Sequence, residues 1–168
     1  IYPRSLFGIF GIIFAPLLHG NFKHLFLNSI PLFILSACCL SYGISKFIVL
    51  SVLIILISGI LLWLFGRKAI HIGASSLILG YFGYLILNSY TNFSIISVTV
   101  LIVCLYYLGG LLFSIFPQQD KQVSWEGHLF GLISGVATNY LMPVILNYLI
   151  QFTIYNNFIY YIKDWQLI

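Results

Sequence analysis

The chain has 168 residues, of which 61% are hydrophobic and only 6% charged, and its mean hydropathy is +1.08. A soluble domain needs far more charge to cover its surface, so the composition excludes that class and implies an integral membrane protein. Seven Lys and Arg against three Asp and Glu leave a formal charge of +4, but the cations are scattered among loops. That excludes a nucleic-acid surface and makes the charges a matter of membrane topology.

No repeat or low-complexity tract divides the chain, so it reads as one domain, 1–168, an all-α bundle of transmembrane helices. Residues 1–18 are apolar but interrupted by Gly8, Gly11 and Pro16, and the run is too short for a span; an interfacial or partly inserted loop is expected. After the polar step from His19 to His24, spans are expected at about 25–42, 47–65, 75–87, 95–116 and 125–149. Gly43 and Ser45, Gly66-Arg67-Lys68, the turn Asn88–Ser94 and the aqueous loop Pro117–Ser124 separate them. The span at 75–87 is short by the ~20-residue standard, so its start is expected below the membrane surface. Residues 150–168 are aromatic and partly polar, the pattern of an interfacial tail. The chain opens on Ile1, and its first 24 residues lack the pattern of a signal peptide, which reads as a fragment whose first helix is missing.

Cys38, Cys39 and Cys104 lie inside apolar runs, where thiols act as small hydrophobes, and no CxxC pair suggests a zinc or redox site. Two polar clusters, in contrast, sit at helix mouths, where lipid contact disfavours them. His71-Ile72-Gly73-Ala74-Ser75-Ser76 runs into the span at 75–87, and Trp125-Glu126-Gly127-His128-Leu129-Phe130-Gly131 opens the span at 125–149. From His128, the residues Leu132, Gly135 and Asn139 share one helical stripe; Ser76, Gly80 and Gly83 form a small-residue stripe beside Ser75. Such stripes let two helix backbones approach closely, which is what a short serine side chain needs to reach a histidine.

A hydroxyl and an imidazole on neighbouring helices are the minimum parts of an activated nucleophile. The hydrolase pattern GxSxG is incomplete, because Leu77 stands where its last glycine belongs. The acids are Asp120, Glu126 and Asp164, and Glu126 precedes His128 by two positions, which points it to the other side of a helix. A Ser-His dyad is therefore the simplest arrangement. Donors for an oxyanion are at hand in His19, His24, Asn28 and the Ser75 amide near a helix start. A lone serine in a membrane helix more often eases packing, and a lone histidine more often marks the interface. Four histidines near three spans, with Ser75 and Asn28 among them, argue for chemistry; His71 reads as loop structure. Inward-facing histidine pairs also suit haem or a metal ion.

The order His19-x4-His24-x3-Asn28, His71-Ile-Gly-Ala-Ser75 and Trp125-x-Gly127-His128-x2-Gly131 resembles the rhomboid family of intramembrane serine proteases, over roughly residues 15–140. The resemblance implies a bundle of at least six spans that cleaves transmembrane segments of other proteins, with no metal or other cofactor. It implies Ser75 as nucleophile and His128 as base. Asn28, His19 and the Ser75 amide would form the oxyanion hole, supported by His24, Gly73, Gly127 and Gly131. Substrates with small, helix-breaking residues would be favoured, because a peptide bond in an intact helix is shielded. The sequence departs from the family at Ser76, usually glycine, and at Leu79, commonly an aromatic that stacks on the histidine; the Trp-Arg pair of the family's first loop is not seen in residues 1–18. The expected partners are transmembrane substrates and membrane lipid, not nucleic acid. The expected location is a bacterial inner membrane with the site opening to the extracytoplasmic side. The alternative is an inactive rhomboid-like protein that binds transmembrane client helices.

Overall fold

Chain segments in a bilayer must satisfy their own backbone groups, and the spans of this chain do so as helices. The computed structural model describes residues 1–117 and 123–165, except the side chains of Ile96 and of residues 156–165. Most of the loop expected at 117–124, with Lys121, falls outside the described residues. Among those described there are six α-helices: α1 (Leu6–Phe14), α2 (Phe22–Leu40), α3 (Ile44–Phe65), α4 (Ser75–Thr91), α5 (Ile95–Leu108) and α6 (Trp125–Trp165). Tighter 3-10 turns follow α1 at Ala15–Leu17 and α5 at Gly109–Ile115.

Local chemistry explains the boundaries. The Asn21 side chain caps α2 by accepting the His24 N–H at 2.8 Å. Gly43, with φ of +106°, supplies the left-handed residue between α2 and α3. Ser94 and Ser97 form a reciprocal capping box on α5. Two stretches differ from the sequence expectation. Residues 6–14 form a helix rather than a loop, because Gly8 and Gly11 pack against the backbone of Tyr2 and Ile1 and Pro16 falls in the 3-10 turn that ends it. The final helix runs on past residue 149 to Trp165, since no Gly or Pro follows Pro143 to stop it. Its 41 residues rise about 60 Å, twice the ~30 Å hydrocarbon core.

Four helical stretches are long and apolar enough to cross a membrane: Phe22–Leu40, Ile44–Phe65, Ser97–Ile115 and Trp125–Tyr155. The 17-residue α4 is shorter and sits in their midst, touching α2, α3, α5 and α6. Residues Ile78 to Leu85 of α4 are all buried, as a helix surrounded by others requires. Its closest neighbour is α6. A Cβ on Gly135 would overlap the Gly80 carbonyl oxygen, one on Gly131 would overlap the Ser76 carbonyl, and one on Gly83 would come 2.5 Å from the Leu132 carbonyl. The two backbones touch, as the small-residue stripes predict. Cys39 and Cys104 are buried and Cys38 is half-buried, all as free thiols in the packing.

The first eighteen residues are pinned to this bundle. Arg4 N–H donates to Trp63 O at 3.0 Å, Trp63 Nε1 donates to Ser5 O at 2.9 Å, and Ile12 packs where a Cβ on Gly59 would stand. The outer face of α1, with Leu6, Phe7, Phe10, Ile13 and Phe14, is exposed and suited to lipid.

The backbone contact yields a prediction. Gly135→Val should lower the thermal unfolding midpoint in detergent, with an overpacking cost of about 1–3 kcal/mol or more. Gly109→Ala, where a new Cβ meets nothing within 4 Å, should leave the midpoint unchanged or raised. Equal loss in both variants would show that the α4–α6 contact is not what the glycines serve.

Candidate active site

The α3–α4 loop and the first turns of α2, α4 and α6 meet at one end of the bundle. Gly73, with φ of +113°, is a backbone turn only glycine takes without strain. Its N–H donates to Ala15 O at 2.9 Å, which ties the loop to the N-terminal segment. A side chain there would meet His24 Cε1 at 2.7 Å, His24 Nε2 at 2.8 Å and Asn28 Nδ2 at 3.3 Å. Glycine thus lets the His24 and Asn28 side chains, one helical turn apart on α2, close on the loop two residues before Ser75.

His19 joins them from the turn before α2, its ring edge-on to His24 with centroids 5.2 Å apart. Both His19 Nε2 and Asn28 Nδ2 are buried without a hydrogen-bond partner. Buried polar atoms are rarely left so, because each costs about 1–3 kcal/mol. Asn28 Nδ2, close to Gly73 two residues before Ser75, is a donor left open to an incoming acceptor.

Ser75 is the first residue of α4, so its amide is among those no intrahelical bond reaches. It lines a cavity of about 20 Å³, room for a single water, together with Gly73, His71, Ser124 and Gly127. His128 follows Gly127 on the first turns of α6, and the Gly131–Ser76 contact holds the two helix mouths side by side. The His128 Nδ1 lies 3.0 Å from the Ser114 carbonyl oxygen. A carbonyl only accepts, so a neutral His128 carries its proton on Nδ1 and leaves Nε2 basic. No hydrogen bond joins Ser75 Oγ to the ring in this state. Catalytic bonds are commonly long before substrate binds.

Glu126 is nearly buried and faces Arg67 at 3.5 Å, so it does not orient His128. Leu79 is buried in the core. The carbonyl of Ser114 does the orienting. Sequence reasoning had no access to it, because any residue presents the same carbonyl. Ser124, which caps α6 through the Gly127 N–H at 3.2 Å, was legible as a serine just before a helix start. Among the described residues no three His, Cys, Asp or Glu side chains converge as metal ligands. A larger cavity, about 300 Å³, is walled by Lys46, Asn88, Asn139 and their neighbours toward the far end of α4, and neither serine nor histidine reaches it.

Comparison with known proteins bears on the family of the chain. The Rhomboid domain family matches residues 7–145. Proteins of Mycobacterium bovis and Mycobacterium tuberculosis, both described only as uncharacterized, are 36% identical over 150 residues, 84% of this chain and 62% of theirs. A Mycobacterium leprae protein with the same description is 36% identical over 145 residues, 80% of this chain and 56% of its own. The chain thus spans about three-fifths of the length of the curated relatives it matches. No solved structure matches it significantly. By its family match and its helical architecture, the chain belongs to the rhomboid family and is an integral membrane protein.

Proposed function

We propose that this chain is the catalytic bundle of an intramembrane serine endopeptidase that cleaves the transmembrane segments of other membrane proteins. The observation that carries the reading is the bond between His128 Nδ1–H and the Ser114 carbonyl, which reserves Nε2 as the base beside the mouth of α4. In the reaction Ser75 Oγ attacks the scissile carbonyl carbon while His128 Nε2 takes the hydroxyl proton. The carbonyl oxygen becomes an oxyanion and accepts from Asn28 Nδ2, His19 Nε2 and the Ser75 amide. His128 passes its proton to the departing amine, leaving an ester on Ser75. A water, deprotonated by His128, hydrolyses that ester and restores the serine. Neither a metal nor a buried acid is required, because the Ser114 dipole steadies the imidazolium that forms.

The absence of a bond between Ser75 and His128 favours a second reading, a non-enzymatic member that binds client helices. One reagent separates the two. A fluorophosphonate probe should label Ser75 in detergent-solubilised full-length protein, and Ser75→Ala or His128→Ala should abolish labelling and cleavage of a transmembrane peptide. Labelling that persists in His128→Ala would sink the dyad, and no labelling of the folded parent protein would favour the client binder. Asn28→Ala should lower kcat by about 10²- to 10³-fold while the fold persists. Undiminished turnover in a variant lacking both the Asn28 and His19 side chains would remove them from the oxyanion hole.

We place the protein in a bacterial inner membrane with the site opening to the extracytoplasmic side. Alternating spans put Arg4, Lys23, Arg67, Lys68 and Lys121 on the active-site side and only Lys46 and Lys163 opposite, which by the positive-inside rule argues the reverse. Two of those cations, however, are engaged within the fold: Arg4 donates to Leu64 O at 2.8 Å, and Arg67 donates to Val123 O at 2.8 Å and faces Glu126. Their placement answers to structure as much as to topology. With the native cysteines replaced, Ile70→Cys, at an exposed loop position, should react with an impermeant maleimide in intact cells making the full-length protein. Reaction only after lysis would show that the charge count governs.

A further inference from the structure

The loop that leads into Ser75 and the helix that carries His128 are joined by a buried side chain with no part in the chemistry above. His71, 3% exposed, lies four residues before Ser75. Its Nε2 is 3.0 Å from Arg67 O and its Nδ1 is 2.6 Å from Ser124 Oγ. Since a carbonyl only accepts, Nε2 carries a proton. Burial holds the ring below the usual imidazole range, so it is neutral at pH 7 and its Nδ1 is an acceptor. The Ser124 hydroxyl therefore donates to Nδ1. Its oxygen is left to accept the Gly127 N–H at 3.2 Å, while the Ser124 carbonyl accepts the His128 N–H at 3.1 Å. Every bond in the series has one allowed direction, from Gly127 through Ser124 to His71 and on to Arg67.

The backbone under this ring is fixed as well. His71 N–H donates to Ile1 O at 2.8 Å, and two residues on Gly73 N–H donates to Ala15 O at 2.9 Å. Arg67 also crosses from the loop to α6, but it reaches Val123 O and Glu126. Among the described residues, the Ser124 hydroxyl has His71 as its side-chain partner.

We propose that His71 is a positioning residue: by fixing the rotamer of Ser124 it sets where α6 begins, and so the rotation at which His128 meets Ser75. The proposal rests on the reading of those two residues as base and nucleophile. Each residue of a helix turns the next by about 100°, so an unravelled first turn moves His128 away from its partner. A misplacement near 1 Å at a reacting group costs on the order of 100-fold.

Two measurements on the full-length protein test the proposal separately from the function it rests on. The first is hydrogen exchange at the Gly127 and His128 amides. It should quicken in both His71→Ala and Ser124→Ala while exchange in the middle of α4 stays slow; unchanged exchange at those amides would overturn the coupling whether or not the protein is a protease. The second is the rate of Ser75 labelling by a fluorophosphonate. His71→Ala and Ser124→Ala should each slow it roughly 10- to 100-fold, and the double variant should be no slower than either, because they break one series. His71→Asn, which keeps an acceptor for the Ser124 hydroxyl, should recover most of the rate, whereas His71→Gln, which reaches toward Arg67 O instead, should not. Equal rates in all variants, or recovery by Gln and not Asn, would overturn the positioning role. Parent protein that takes no label would end the protease reading and with it that role, and exchange would still decide whether His71 holds the helix start.

Discussion

Everything at the candidate site hangs on the contact between the backbones of α4 and α6. Ser75 heads one helix and His128 stands in the first turns of the other, so the separation of the two axes sets the reach of serine to imidazole. Gly80, Gly83, Gly131 and Gly135 remove the side chains that would hold those axes apart, and the Gly131–Ser76 contact falls within one turn of both functional groups. In a bilayer, lipid tails are as apolar as leucine, so tight van der Waals contact of this kind is what associates helices. One device thus packs the core and assembles the site.

Helix packing positions axes, but the functional atoms sit where helices begin, and helix starts fray. Here the mouths are tied down by hydrogen bonds from three other parts of the chain. The N-terminal segment holds the loop before α4 through Ala15, the Ser114 carbonyl holds the His128 ring, and His71 and Arg67 span from the α3–α4 loop to the start of α6. Removing Arg67 would leave the buried Glu126 carboxylate without the cation it faces. A neutral dipole, the Ser114 carbonyl, orients the His128 ring where a hydrolase triad would place a carboxylate. That choice avoids a second desolvated charge at membrane depth.

The site also carries a standing cost. His19 Nε2 and Asn28 Nδ2 are buried and unpaired, and Gly73 holds a left-handed backbone. Each departs from what a stable interior prefers, and such departures gather where a structure is poised for a ligand's charge. In the proposed reaction an oxyanion would supply the acceptor those atoms lack, so the atoms that weaken the resting fold would become stronger partners once charge develops.

The all-helical membrane fold was legible in the sequence because hydropathy and helix period are local properties. So were the small-residue stripes on α4 and α6, since a 3.6-residue period places Ser76, Gly80 and Gly83 together whatever they pack against. The clusters around Ser75, His128 and Asn28 declared themselves by being polar in an apolar chain. The helix at 6–14 and the continuation of α6 past residue 149 were less visible: the first depends on glycines packing against the backbone of Tyr2 and Ile1, and the second on a mere lack of stop signals in an aromatic stretch. What only the tertiary structure decided is which acceptor holds His128 and which side chain holds α6. A backbone carbonyl carries no residue identity, so Ser114 leaves no mark in the sequence. His71 reads as loop structure until its ring is seen 2.6 Å from a serine 53 residues away. Periodicity reports which face a residue occupies, but the pairing of donors and acceptors across a bundle exists only once the helices have met.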